Sequence, residues 1–288
     1  MACITKVLEK KINGLRVNLF EFNIDEDNNL NEIKSYLKGK ISNSVVHNFS
    51  EYDLTYYGSK NLNPDFVARF NACVSKINTP KKASIRQFDV RRERVTEWIA
   101  QYLLEQEFDC VFFDDSDKKI NLKTVEIDKH TDGIDVPGLL ISNNKIQFVV
   151  CEVKASDSSK IPCDSMTALQ NDIQKSIDND ENRVSKEILE YMHGIRNAKI
   201  DEIILEKIIG FLGQLIMKEK KDMIEDVFFF PVILRSNSRI ITEKNVDDYN
   251  YFSLNGVSGE NVENVVASFR KNFSDFSNEL YDEVMGSL

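Results

Sequence analysis

Two short segments hold the side chains best suited to chemistry: Asp132-Gly133-Ile134-Asp135-Val136-Pro137-Gly138, and Phe148-Val149-Val150-Cys151-Glu152-Val153-Lys154. An acid followed two residues later by lysine is weak evidence alone. The pattern occurs five times, at Glu9/Lys11, Glu32/Lys34, Asp117/Lys119, Glu152/Lys154 and Glu219/Lys221. Four of these lie in charged helix-like or turn-like stretches. Only Glu152/Lys154 ends an apolar run with another acid shortly upstream. Side chains two apart on a strand share a face, so Glu152 and Lys154 continue the face of Ile146, Phe148 and Val150. A solvated strand end has no need of two charges there.

Asn143-Asn144 suits the centre of a tight hairpin, because asparagine tolerates positive φ. Counting back from that turn places Asp135 directly opposite Glu152, with Cβ atoms about 5 Å apart. A bulge at Pro137-Gly138 would shift this register. Carboxylates that close repel unless a proton or cation lies between them. Oxygen donors with no histidine nearby favour Mg²⁺ or Mn²⁺ over zinc. A divalent ion held by Asp135 and Glu152 would polarise a phosphodiester and lower the pKa of a bound water. Lys154 would orient that water and offset charge gathering on phosphorus. The chemistry indicated is metal-dependent phosphodiester hydrolysis. The competing reading of the same residues is a salt bridge between strand-end charges.

The elements that must position these groups read as an α/β sheet covered by helices. Residues 15–22 alternate as a strand, followed by an acidic turn at 25–29, a short helix at 30–37 and a helix start at Asn63-Pro64-Asp65. Thr79-Pro80-Lys81-Lys82 punctuates the chain and sets a boundary near residue 84. Residues 1–84 form a smaller N-terminal α/β segment, and 85–288 the main domain with a helical C-terminal part. From 85 to 108 the period is helical, with Val95, Trp98, Ile99, Tyr102 and Leu103 on one stripe. Strands are expected at 110–113, 134–141 and 146–154, and helices at 166–177, 184–192 and 203–216. A buried strand is expected at 227–234, where Pro231 hints at an edge or bulge.

Composition narrows the function. The 288 residues carry 37 Lys plus Arg against 47 Asp plus Glu, a net charge of -10, which argues against broad coating of nucleic acid but not against a local site. No apolar stretch approaches the roughly 20 residues a bilayer span needs, and the N-terminus does not read as a signal peptide. A soluble, cytoplasmic protein with no membrane association is expected. The five cysteines form no CxxC pair, and the three histidines form no HExxH. Neither GxxxxGK[ST] nor GxGxxG occurs, so an ATP-driven step would belong to another chain.

An acid, a hairpin and then (Asp/Glu)-x-Lys closing an apolar strand resemble the PD-(D/E)xK nuclease superfamily. The resemblance covers roughly residues 85–235 and implies a mixed central sheet flanked by helices. Members often carry a further acid on the preceding helix. The stretch Thr96-Glu97-Trp98-Ile99 matches that pattern, making Glu97 the helix acid and Glu93 the fallback. The sequence departs from the superfamily name in placing Val-Pro after Asp135.

A finer resemblance is to the HamA family, the nuclease subunit of the bacterial Hachiman antiphage system. It is carried by Asp-x-x-Gly at Asp135 to Gly138, Cys-Glu-Val-Lys-Ala-Ser at Cys151 to Ser156 and Phe-Phe-Pro-Val at Phe229 to Val232. That resemblance implies a DNA-degrading effector working with a superfamily 2 helicase, HamB. Expected catalytic residues are Glu97, Asp135, Glu152 and Lys154, with Asp135 and Glu152 on Mg²⁺ or Mn²⁺. Lys81, Lys82, Arg91 and Arg92, from a basic strip at residues 79–94, and Gln170 are expected to meet DNA. The partner is expected to dock on residues 1–84 or on the acidic stretch 243–288. Two alternatives stay open: an inactive nuclease-fold subunit for DNA binding or assembly, and a restriction-type endonuclease.

Overall fold

The computed structural model describes residues 2–45, 64–80, 85–113, 133–142, 145–157, 163–195, 200–236 and 247–287. Seven strands form one mixed sheet in the order β1-β2-β7-β6-β5-β4-β3. These are β1 (Ile4–Ile12), β2 (Leu15–Phe22), β3 (Cys110–Val111), β4 (Val136–Ser142), β5 (Lys145–Ser156), β6 (Val227–Arg235) and β7 (Glu263–Ser268). The helices are α1 (Asp27–Val45), α2 (Pro64–Asn78), α3 (Ile85–Glu107), α4 (Cys163–Asp178), α5 (Arg183–Ile195), α6 (Glu202–Met217), α7 (Lys220–Ile224) and α8 (Phe273–Gly286). This is the α/β class expected, a mixed sheet flanked by helices. Among the described residues no helix is long and apolar enough to cross a membrane.

The centre of the sheet is parallel, β2 with β7, β7 with β6 and β6 with β5, and the two ends are antiparallel. Parallel strands lie covered on both faces, so they are apolar without alternation. All nine residues of β6 are buried. Phe228, Phe230, Val232 and Leu234 face a core shared with α1, α3 and α8. Phe229 and Ile233 face the core under α4, α5, α6 and α7. Pro231 therefore belongs to an interior strand, contrary to the edge it suggested. It is tolerated where the β6/β7 ladder is interrupted, between the isolated Phe229–Val262 bridge and the first registered pair at Val232.

Two strands escape the apolar periodicity. β1 is an edge strand that exposes Lys6, Glu9, Lys10 and Lys11, charges that discourage edge-to-edge pairing. It turns into β2 at Asn13-Gly14, both at positive φ (50° and 83°), the geometry a tight hairpin requires. β7 is short and lies between β2 and β6. Because β2 pairs with β7, the sheet runs through the boundary expected near residue 84.

The basic strip is largely absorbed by packing. Arg91 is buried against α8: its Nε donates to the Pro80 carbonyl at 2.7 Å and its Nη1 to Asn278 Oδ1 at 3.0 Å. Its Nη1 also pairs with Asp282 at 3.3 Å, and its guanidinium lies 5.0 Å from the centre of the Tyr281 ring. Arg91 is thus a helix-packing residue, correcting the expectation that it meets DNA. Arg94 is buried as well, whereas Arg92 is half exposed and lies 3.9 Å from Asp89 one turn away. Lys81 and Lys82 lie outside the described residues. Asp282 is exposed, so the loss is that of the donor to the Pro80 carbonyl and to Asn278 Oδ1, about 1–3 kcal/mol for each buried acceptor left unsatisfied. Arg91→Met should therefore lower stability by several kcal/mol, while Arg92→Glu should change it by less than about 1 kcal/mol. Urea denaturation of the two variants checks this, and equal stability would contradict the packing role.

Candidate active site

The site forms where the sheet forks. β4 and β5 pair without a register shift from Ser142↔Lys145 to Val136↔Cys151, so Pro137-Gly138 carries no bulge and Asp135 arrives opposite Glu152. Asn143 and Asn144 lie outside the described residues. Gly138 is needed for close packing: an added Cβ would stand 2.5 Å from the Phe112 ring that follows β3. β4 ends at this point, whereas β5 runs on beside β6 to Ser156↔Arg235. Among the described residues no strand pairs with Glu152 to Ser156 on the β4 side. Asp135 bridges the fork, its Oδ2 accepting the Val153 amide at 2.9 Å.

Strand alternation puts Glu152 and Lys154 on the face covered by α4 and α5. The Glu152 side chain is 2% exposed and accepts from Arg183 Nη2 at 2.7 Å. The same nitrogen donates to the Gly133 carbonyl at 2.8 Å, two residues before Asp135. Arg183 thereby ties the strand bearing Glu152 to the segment bearing Asp135. Lys154 is more open and reaches Asp172 Oδ2 of α4 at 2.9 Å. Lys175 stands 3.7 Å from the other Asp172 oxygen, but at the exposed rim.

Sequence reasoning missed both Asp172 and Arg183. Asp172 was legible in principle, because it interrupts the core-facing stripe of Leu169, Ile173 and Ile177. Arg183 had no such signal. It follows a polar turn, and only tertiary packing brings it to Glu152.

The electrostatics follow from burial. Removal from water, then the charge of Asp135, pushes the Glu152 carboxyl well above its ordinary pKa, with Arg183 opposing. Burial works against the charge of Lys154, but Asp135 and Asp172 outweigh it and hold the ammonium above the usual lysine range. Arg183 is raised likewise: burial opposes its charge and Glu152 more than compensates. Burial first, then Asp135 and Glu152, keep the Cys151 thiol protonated, so thiolate chemistry is not available there. Three carboxylates, Asp135, Glu152 and Asp172, face two inner cations, Lys154 and Arg183.

Oxygen donors of this kind suit a hard cation. Among the described residues no set of three or more acidic, histidine or cysteine side chains is arranged to hold an ion. Asp135 and Glu152 supply two carboxylates, the number Mg²⁺ commonly takes from a protein when waters and substrate phosphates complete its shell.

Other expected residues lie elsewhere. Glu97 is carried by α3 on the opposite face of β5, where α3 shares its core with Val149, Cys151 and Val153. Its charge bears on Cys151 and Tyr281. Glu93, the fallback, is exposed. Gln170 accepts from the Ser253 amide at 3.4 Å, and Gln174 exchanges two hydrogen bonds with the Asn255 backbone. Both glutamines brace the segment before β7.

A model of the HamA family matches residues 2–283 of the 288. The chain belongs to the HamA family. It is accordingly a Hachiman-associated protein. No curated protein matches its sequence. The HamA match runs from the β1–β2 hairpin into α8, so the N-terminal strands and the forked strand belong to one family unit.

For this HamA chain the charge count sets an expectation. Glu152→Gln keeps an acceptor for Arg183, and Asp135 and Asp172 remain to balance the two cations. Scanning calorimetry in EDTA should find the melting temperature within about 2–4 °C of wild type, the shift that 1 kcal/mol produces in a domain approaching this size. A much larger fall would mean that the pair holds the fold together and that the site is not poised for an ion.

Proposed function

We propose that this chain is the metal-dependent DNA nuclease subunit of a Hachiman-type defence complex, cutting phosphodiester bonds under the control of a partner helicase. The observation that carries the reading is the fork itself. Asp135 stands beside Val153, between Glu152 and Lys154, and bears on the charge of both, in a chain of the HamA family. The acid, hairpin and Glu-x-Lys arrangement resembles that of PD-(D/E)xK nucleases.

Asp135 and Glu152 would hold Mg²⁺ or Mn²⁺, which when bound supplies Lewis-acid polarisation of the phosphate and a more acidic water. Lys154 keeps its proton, so it acts as a fixed positive charge that orients the attacking water and offsets charge on the phosphorane oxygens. Asp172 holds that ammonium in place at 2.9 Å. The 288 residues contain no GxxxxGK[ST] loop, which leaves ATP-driven strand separation to the partner.

One observation favours a second reading. Glu152 already has a cation at 2.7 Å, as it would in an inactive subunit kept for DNA binding or assembly.

The test is plasmid cleavage by the purified chain, alone and with its co-expressed genomic neighbour, in Mg²⁺, Mn²⁺ or EDTA. Cleavage should require the metal, and Glu152→Gln and Lys154→Ala should each lower it by about 100-fold or more. Intact plasmid under every wild-type condition would favour the inactive reading. Undiminished cutting by Glu152→Gln would sink the catalytic assignment.

A further inference from the structure

Arg183 is placed at some local cost. The turn that delivers it contains three residues in the left-handed region, Asn179 (φ 47°), Glu181 (φ 50°) and Asn182 (φ 62°). Asparagine tolerates that conformation, but glutamate has no side-chain reason to adopt it. Arg183 is also the first residue of α5, where the helix dipole disfavours a cation. Asn179 Oδ1 braces the turn by accepting from the Val184 and Ser185 amides. Backbone strain and dipole both work against a guanidinium here, and the contacts with Glu152 and Gly133 offset them.

The contact is of the exchangeable kind. One nitrogen, Nη2, serves both Glu152 Oε1 and the Gly133 carbonyl, while the buried Nε has no hydrogen-bond partner among the described residues. The stronger two-pronged arginine–carboxylate geometry is not made. A divalent ion on the same carboxylate would meet a guanidinium at contact distance, and like charges that close in a buried setting repel strongly.

We infer that Arg183 is the resident counter-cation of the metal-free site: it holds Glu152 in place until a divalent ion displaces it, so ion binding and the Arg183–Glu152 pair oppose each other. The inference rests on the proposed metal-dependent reading. Arg183 then sets how much free ion, or how much help from bound phosphate, is needed to charge the site. It keeps the buried carboxylates from repelling before substrate arrives.

The test is titration of MnCl₂ into the chelator-treated full-length chain, read by calorimetry of binding and by the rise in melting temperature. Arg183→Met should bind Mn²⁺ about tenfold tighter than wild type, within the range of coupling between linked sites. It should also melt lower without metal and gain more from it. Arg183→Lys keeps the charge on a shorter reach, should fold if the methionine variant does not, and should lie between the two. Asp135→Asn should abolish the binding, which locates the ion. Equal or weaker affinity in both Arg183 variants, with Asp135→Asn still abolishing binding, would overturn the latch alone. Absence of Mn²⁺ binding in wild type and both Arg183 variants would remove the metal site, and the latch with it.

Discussion

A carboxylate buried at the end of an interior strand is the constraint on which the active-face half of this fold depends. Taking Glu152 out of water costs several kcal/mol even after relaxation, and the strand cannot tilt it back into solvent. β5 is fixed by β6 on one side and by β4 up to the residue before Glu152. Compensation has to come from the facing helices. That requirement explains why α5 begins where it does, with Arg183 at its first position and a strained turn before it. The rest of α5 is conventional core. Val184, Ile188 and Tyr191 close over β5, with Tyr191 edge-on to Phe148 at 5.7 Å between ring centres. A helix held by that apolar face presents its N-terminal cation with little freedom, and the electrostatic geometry is set by hydrophobic packing.

The same strand reaches across to the other half of the molecule. One residue beyond β5, Asp157 accepts from the Phe273 amide at 2.7 Å and from the Ser274 hydroxyl at 3.1 Å, satisfying the start of α8. α8 in turn carries Asn278, Tyr281 and Asp282, which hold Arg91 of α3. Glu152, Asp157 and Arg91 are thus three points on one connected frame. A disturbance of the α3/α8 contact has a covalent and hydrogen-bonded route to the strand bearing the site.

Much of this was legible beforehand. Continuous apolar runs marked β6, helical stripes marked α3 and α6, and counting from Asn143-Asn144 anticipated the β4/β5 register that brings Asp135 opposite Glu152. What could not be read depended on partners distant in sequence. β1 carries too many charges to show a strand period, because an edge strand need bury only one side. Pro231 pointed to an edge by a sound local rule, yet an interrupted ladder in the interior satisfies the same missing donor. The basic strip misled for a related reason. Lysine and arginine counts do not distinguish a solvated cation from one enclosed by another helix, and α8 lies nearly two hundred residues away along the chain. Glu97 shows the limit of motif transfer. Its helix is where the resemblance expects it, but strand parity sends Glu152 to the opposite face.

These placements alter the electrostatic case for how the chain meets DNA. With Arg91 and Arg94 buried and Arg92 near Asp89, the strip retains little free positive charge among the described residues. The whole chain carries a net charge of -10. Affinity for duplex DNA scales with the number of phosphates neutralised, so a surface with few available cations binds weakly at physiological salt. A hydrolytic site can still work on such a surface if another protein brings the backbone to it, because local delivery replaces intrinsic affinity with effective concentration. The buried pairing of Glu152 with Arg183 favours the same arrangement. On the proposed reading, a site whose own cation occupies a key carboxylate would be quiet when ion and phosphate are dilute and would respond when both are presented together. On that reading, weak intrinsic grip and a carboxylate already paired with Arg183 would be two independent restraints, both relieved by a partner that supplied DNA.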